Sequence, residues 1–262
     1  MPATVPIDVD SLESDNLSAL FRDAISYVPQ IRIELVCKKK GSQAIENHPA
    51  FLVGLNTPRP TIQFVESLDL GQRIEAIAHE LGHLILLYRS GLRLITRKRP
   101  HAGDREAVYR YFLNLNKDWS YLLGQIGNTT HHLFLINYLK KEYGIQSEIH
   151  LYLLQYNFFN LANETTRDLE SLYSKGIIAF EYERLIGRME DVAGVSQQPE
   201  LFWKAYFSAH KRFGSYHFPN IPVPSCHEEN ILSFLGDLGY EVEDFTFFPE
   251  GFPDQRTGER WR

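Results

Sequence analysis

Residues 73–91 read RIEAIAHELGHLILLYRSG, a run in which His79 and His83 stand one helical turn apart and Glu80 directly follows the first of them. At about 100° per residue, Ile74, Ile77, Ala78, Leu81, Leu84, Ile85 and Tyr88 form one apolar stripe. His79 and His83 fall on the opposite side, in a row with Gln72 and Ala76, and Glu80 sits beside them. Leu86 and Leu87 continue that second side, so it is not a solvated face. The spacing therefore predicts a helix over 72–90 that is buried along both sides, with its polar exceptions gathered at three residues. Asp69 is placed to cap its start, with Gln72 reaching back in a capping box, and Gly91 suits the residue just past its end.

This pattern suits zinc chemistry. Histidines at i and i+4 can reach one ion, and the intervening glutamate is angled away from ligation and toward a metal-bound water. Zinc lowers the pKa of such a water toward about 7, so that Glu80 can take its proton. Gly82 is expected to leave space beside the metal, and Ala78 to allow close packing on the far side. The bland alternative is a pair of core histidines held by Glu80.

The segment AHELGHLILL resembles the active-site helix of the zincin metallopeptidases, whose hallmark is HExxH. The resemblance covers about 61–91. It implies a zincin-like fold, zinc held by His79 and His83, and Glu80 as general base and then proton shuttle. It also implies that the strand before the helix, TIQFVES at 61–67, is an edge strand holding an extended substrate. The metzincin extension is absent, and no subfamily follows from the residues after His83.

A catalytic zinc needs a third protein ligand, and three candidates lie downstream. The segment IGNTTHHLFLINYLKKEYGI puts Asn128, His132, Leu135, Ile136 and Leu139 on one inward side, which favours His132. His131, on the flank of the same face, can instead stabilise an oxyanion, as can a tyrosine among Tyr138, Tyr143, Tyr152, Tyr156 and Tyr173. The segment NETTRD resembles the gluzincin NExxxD element, which makes Glu164 the runner-up, with Asp168 orienting a histidine. Glu106, in the charged run DREAVYRY, is the weakest of the three because that run reads as a solvated face.

The remainder of the chain frames this helix. Its 262 residues are 44% hydrophobic and 13% aromatic, enough for a substantial core. A net charge of −6 implies no broad basic face, so nucleic acid is not an expected partner. Cys37 and Cys226 form no disulfide framework, the N-terminus lacks the pattern of a signal peptide, and no apolar run is long enough to span a bilayer. A cytoplasmic location is the expectation. Strands are predicted at 31–37, 50–55 and 61–67, with an earlier helix at 12–28. Helices follow near 104–115, 117–141, 148–175, 178–192, 198–212 and 226–237, the last opened by a capping box at Ser225. A final strand lies within 239–248. The expected fold is α+β and mostly helical: one zincin-like domain over 1–262, with a small α/β part at 1–91 and a mainly helical part at 92–262. The expected function is zinc-dependent hydrolysis of a peptide or protein substrate. The alternative is a binding or regulatory protein of the same fold with a structural metal, in which a closed set such as His79, His83, His132 and Glu164 leaves no position for water.

Overall fold

The computed structural model describes residues 3–37, 49–55, 59–98, 119–161, 168–187 and 197–248. Among them are six strands and seven helices: β1 (Ala3–Pro6), α1 (Asp15–Tyr27), β2 (Arg32–Cys37), β3 (Ala50–Val53), β4 (Thr61–Val65), α2 (Leu70–Tyr88), β5 (Leu94–Arg97), α3 (Trp119–Tyr143), α4 (Glu148–Leu161), α5 (Leu169–Ile186), α6 (Glu200–Phe213), α7 (Pro224–Leu238) and β6 (Phe245–Phe248). The chain is mostly helical with a small sheet, in keeping with the α+β expectation. No helix among the described residues is long and apolar enough to cross a membrane.

The first four strands form one sheet in the order β1-β2-β4-β3. β2 and β4 run parallel with Ile33 opposite Ile62 and Leu35 opposite Phe64, and β3 lies antiparallel to β4 with Leu52 opposite Ile62. Alternation decides which face is inside: Ile33, Ile62 and Phe64 are buried, and α2 packs against β3 and β4. The predicted edge strand at 61–67 is therefore an interior strand. β4 carries the partners of both β2 and β3, and β3 is the outer strand beside the HELGH helix. β5 and β6 form a separate antiparallel pair.

The helix that carries the motif begins as its sequence indicates. Asp69 Oδ1 accepts from Gln72 N at 2.8 Å, and Gln72 Oε1 accepts from Asp69 N at 3.1 Å. Beyond it, Gly91 adopts a φ of +66°, and Leu92 N donates back to Leu86 O. Both sides of the helix are buried, with Ile77, Ala78, Leu81 and Leu84 on one and Ala76, Leu86 and Leu87 on the other.

Three helices differ from expectation. The one expected over 148–175 is two elements, α4 over Glu148–Leu161 and α5 from Leu169, whose start Asp168 caps by accepting from Ser171 N. The break expected between 175 and 178 does not exist, because α5 runs unbroken from Leu169 to Ile186. Its Gly176 is there for approach rather than for a turn: a Cβ at that position would lie 2.3 Å from Phe202 O of α6. The last helix starts at Pro224 with Val223 as its N-cap and no side-chain cap, so Ser225 closes no capping box. The predicted helix at 104–115 lies outside the described residues.

One apolar core runs through the whole assembly, from Leu17 and Phe64 past Ile77 and Leu81 to Phe134, Leu135, Phe180, Phe202 and Phe234. Within it α3 packs on α2 and α5, α5 on α6, and α6 on α7. Gly82 sets the approach of α2 and α3, since a Cβ there would fall 2.0 Å from Leu135 Cδ1. Its missing side chain thus makes room for Leu135.

Candidate metal centre

Three helices deliver the histidines and the carboxylate that holds them. α2 supplies His79 and His83, α3 supplies His131 and His132, and α5 supplies Glu181. The Nε2 atoms of His79, His83 and His132 form a near-equilateral triangle with sides of 3.1, 3.1 and 3.2 Å. The third residue is the one the apolar face of α3 favours in the sequence.

The outer ring nitrogens fix the tautomers. His132 Nδ1 lies 2.6 Å from Glu181 Oε1, and the carboxylate can only accept. Glu181 is 1% exposed yet ionised: burial pushes its carboxyl up, but the imidazoles of His132 and His150 outweigh that and hold it far below the usual range. His132, pushed down to about 4 mainly by burial, is neutral, so its Nε2 carries a lone pair. On the other side His131 Nε2 donates to Leu92 O at 2.8 Å. Burial pushes His131 down to about 3, so its Nδ1 is a bare acceptor, and His83 Nδ1, 3.1 Å away, is the donor. His83, also held neutral by burial, therefore points a second lone pair into the triangle.

Neutral imidazoles cannot satisfy this arrangement. Burial keeps His79 neutral as well, and its Nδ1 is buried without a hydrogen-bond partner. Were its proton on Nε2, it could bond only one neighbour, and the lone pairs of His83 and His132 would still face each other at 3.2 Å. Buried polar atoms opposed in this way call for a cation between them. A tetrahedral ion with zinc–nitrogen bonds of about 2.0–2.1 Å spaces its ligand nitrogens about 3.3–3.4 Å apart, close to the observed triangle. The donor set can hold a metal ion.

The triangle opens on a cavity of about 360 Å³ lined by Glu80, by Ala50, Phe51 and Leu52 of β3, and by His150 of α4. Among the described residues no hydrogen bond or ion pair engages the Glu80 carboxylate, and burial pushes it up to about 8. A cation at the triangle would draw it back down. No family model, no curated protein and no solved structure matches the chain. The site is therefore read from its own geometry.

That geometry differs from the sequence reading in three places. Both ring nitrogens of His131 are engaged, one with Leu92 and one with His83, so it orients a histidine rather than facing a substrate. None of the five tyrosines lines the cavity at the triangle. Tyr138 and Tyr143 bond Asp23, Tyr173 donates to Leu238 O, and Tyr152 and Tyr156 are exposed on α4. Glu164 and Glu106 lie outside the described residues.

Two site residues were missed. Glu181 accepts from Thr129 and Gln125 through Oε2 while Oε1 meets His132 and His150. Its signal was an acid that follows directly on the apolar run IIAF at 177–180. His150 stacks on His79 with ring centroids 4.9 Å apart and an interplanar angle of 21°. No local pattern announced it.

Proposed function

We propose that this chain is a zinc-dependent peptidase of zincin type, with His79, His83 and His132 as metal ligands and Glu80 as the general base. The observation that carries the reading is the convergence of Nε2 lone pairs at 3.1–3.2 Å beside an unengaged, half-buried carboxylate in an open cavity. A zinc ion held there would supply a Lewis acid for a carbonyl oxygen and would lower the pKa of a water toward about 7.

The protein's own residues do the rest. Glu181 and His131 hold His132 and His83 in the tautomers that leave Nε2 free. Glu80, whose carboxylate no other described residue engages, takes the proton of the attacking water and delivers it to the departing amine. β3, the outer strand of the sheet, runs along the cavity wall and offers main-chain groups to an extended peptide. His150, which contacts two of the three ligands, favours one rival reading: a non-turnover site closed by a fourth histidine.

One experiment separates the two. Purified wild type and Glu80→Gln are loaded with zinc and assayed on a mixture of degenerate peptides. The peptidase reading expects about one zinc per chain in both, with hydrolysis by wild type about 10²–10⁴-fold faster than by the variant. Bound zinc with four protein ligands by X-ray absorption, and no hydrolysis by wild type, would overturn it.

A further inference from the structure

We infer that the substrate presents an arginine or lysine side chain, within a few residues of the scissile bond, to a second cavity where Glu75, Glu148 and Tyr152 receive it; the inference rests on the peptidase reading above. This cavity measures about 820 Å³ and shares Pro49, Glu75, Ile149 and Leu153 as walls with the cavity at the histidines. A chain lying across the metal centre and leaving past Glu75 must therefore pass through it. Glu75 stands on α2 one turn before His79, so it marks the junction of the two spaces.

The walls of the second cavity suit a cation. Among the described residues that line it there is no lysine, arginine or histidine, whereas Asp69, Glu75 and Glu148 are all present. The Asp69 carboxylate already serves the cap of α2 and that of Glu75 the start of α4, which leaves Glu148 as the carboxylate that bonds no other described residue. Glu75 accepts from Ile149 N at the start of α4. Burial pushes its carboxyl up, the N–H groups of Ile149 and His150 pull it down, and the charge of Glu148 pushes it up again. Two carboxylates that repel each other across a cavity wall gain from a positive group between them.

Tyr152 is an independent sign. It lies one turn beyond Glu148 on the same side of α4, lines the second cavity and is 67% exposed. An aromatic face beside a carboxylate fits a guanidinium, which can stack on the ring while it forks to the oxygens. A lysine gains the charge and less of the stacking.

The test uses the full chain carrying Glu80→Gln, immobilised and equilibrated with zinc, and a mixture of degenerate octapeptides. The retained peptides are sequenced by mass spectrometry. Arginine and lysine should be enriched at least about fivefold over the input, the sum of an aromatic and a carboxylate contact to one cation. The enrichment should vanish when Glu148→Gln and Tyr152→Ala are added. Both side chains are exposed, so thermal melts of that variant should match the parent. A retained pool with the input composition overturns the inference, as does an enrichment that survives both substitutions. Cleavage of the same mixture by wild type is read separately. No cleavage with the enrichment intact sinks the peptidase reading and leaves the cation-binding cavity standing. Cleavage at sites without nearby basic residues sinks the cavity and leaves the peptidase.

Discussion

His132 Nδ1 donates to Glu181 Oε1 across 2.6 Å, and both residues are almost fully buried. The bond reaches between α3 and α5, beside the two that Thr129 and Gln125 of α3 donate to Glu181 Oε2. It fixes which nitrogen of His132 faces the triangle. A neighbour of this kind governs metal affinity without touching the metal. Glu181→Gln keeps the shape and an acceptor oxygen but removes the charge that holds the Nδ1 proton. Zinc affinity, measured by competition with a chelator, should fall about 10–100-fold. An unchanged affinity would mean that the tautomer of His132 is fixed by something else.

The cluster also makes a prediction for acid. Burial lowers His131 to about 3 and His132 and His227 to about 4, and His79 and His83 are lowered too. In the unfolded chain these groups bind protons near pH 6.5, whereas in the folded chain they refuse them until far lower pH. Stability should hold above pH 6.5 and fall as the pH drops through 6 toward 4, steeply because five buried imidazoles act together. Thermal melts of the metal-free protein across that range would show it. Replacing His132 with Asn should flatten the slope, and a slope that does not change would refute the assignment.

Glu80 predicts the opposite trend. Its carboxyl is raised from the ordinary 4.5 to about 8, so the folded state keeps a proton that the unfolded state releases. The stability this group contributes is full below pH 4.5 and is lost as the pH rises through about 8. In the presence of a chelator, the melting temperature of Glu80→Gln should therefore gain on wild type between pH 5 and 9. With zinc bound the gain should shrink, because the cation stabilises the ionised carboxylate. A constant difference across the range, with and without chelator, would mean that Glu80 is solvated and ordinary.

Gly82 is the packing counterpart of the site. A methyl group there meets Leu135, which is fully buried, and touches Leu139 behind it. Gly82→Ala should cost about 1–3 kcal/mol by overpacking, even though alanine is the better helix former. Because Leu135 lies on α3 one turn beyond His131, the same change should push His132 from the triangle and weaken zinc binding. Chemical denaturation and zinc titration of the one variant test both. A more stable protein with unaltered zinc affinity would show that the two helices can part without consequence.

Much of the site was legible in the residues because its signals are local. The helix over 70–88, its capping box at Asp69 and Gln72, and the row of His79 and His83 all follow from 3.6-residue periodicity and from hydrogen bonds spanning three positions. His132 could be favoured for the same reason, as a histidine on the inward face of a second helix. The errors lie where local signals mislead. Gly176 reads as a break and is a point of helix contact, and Ser225 reads as a cap and is overridden by Pro224. The strand TIQFV, an edge by what the zincin resemblance implies, is interior, since strand order is set by pairing over long separations that a short motif does not record.

By itself, then, the sequence determined a helix able to present two histidines and a glutamate from one side, and a mostly helical chain with a small sheet. Only the tertiary structure decided that Glu181 and His150 join them, that His131 turns its nitrogens to Leu92 and His83, and that β3 rather than β4 borders the cavity. The physical reason is the range of the forces. Helix periodicity and capping act within a turn or two. The ionisation of Glu181 comes from imidazoles on two other helices, and the neutrality of the histidines comes from burial among elements distant in sequence; both exist only once the core has closed.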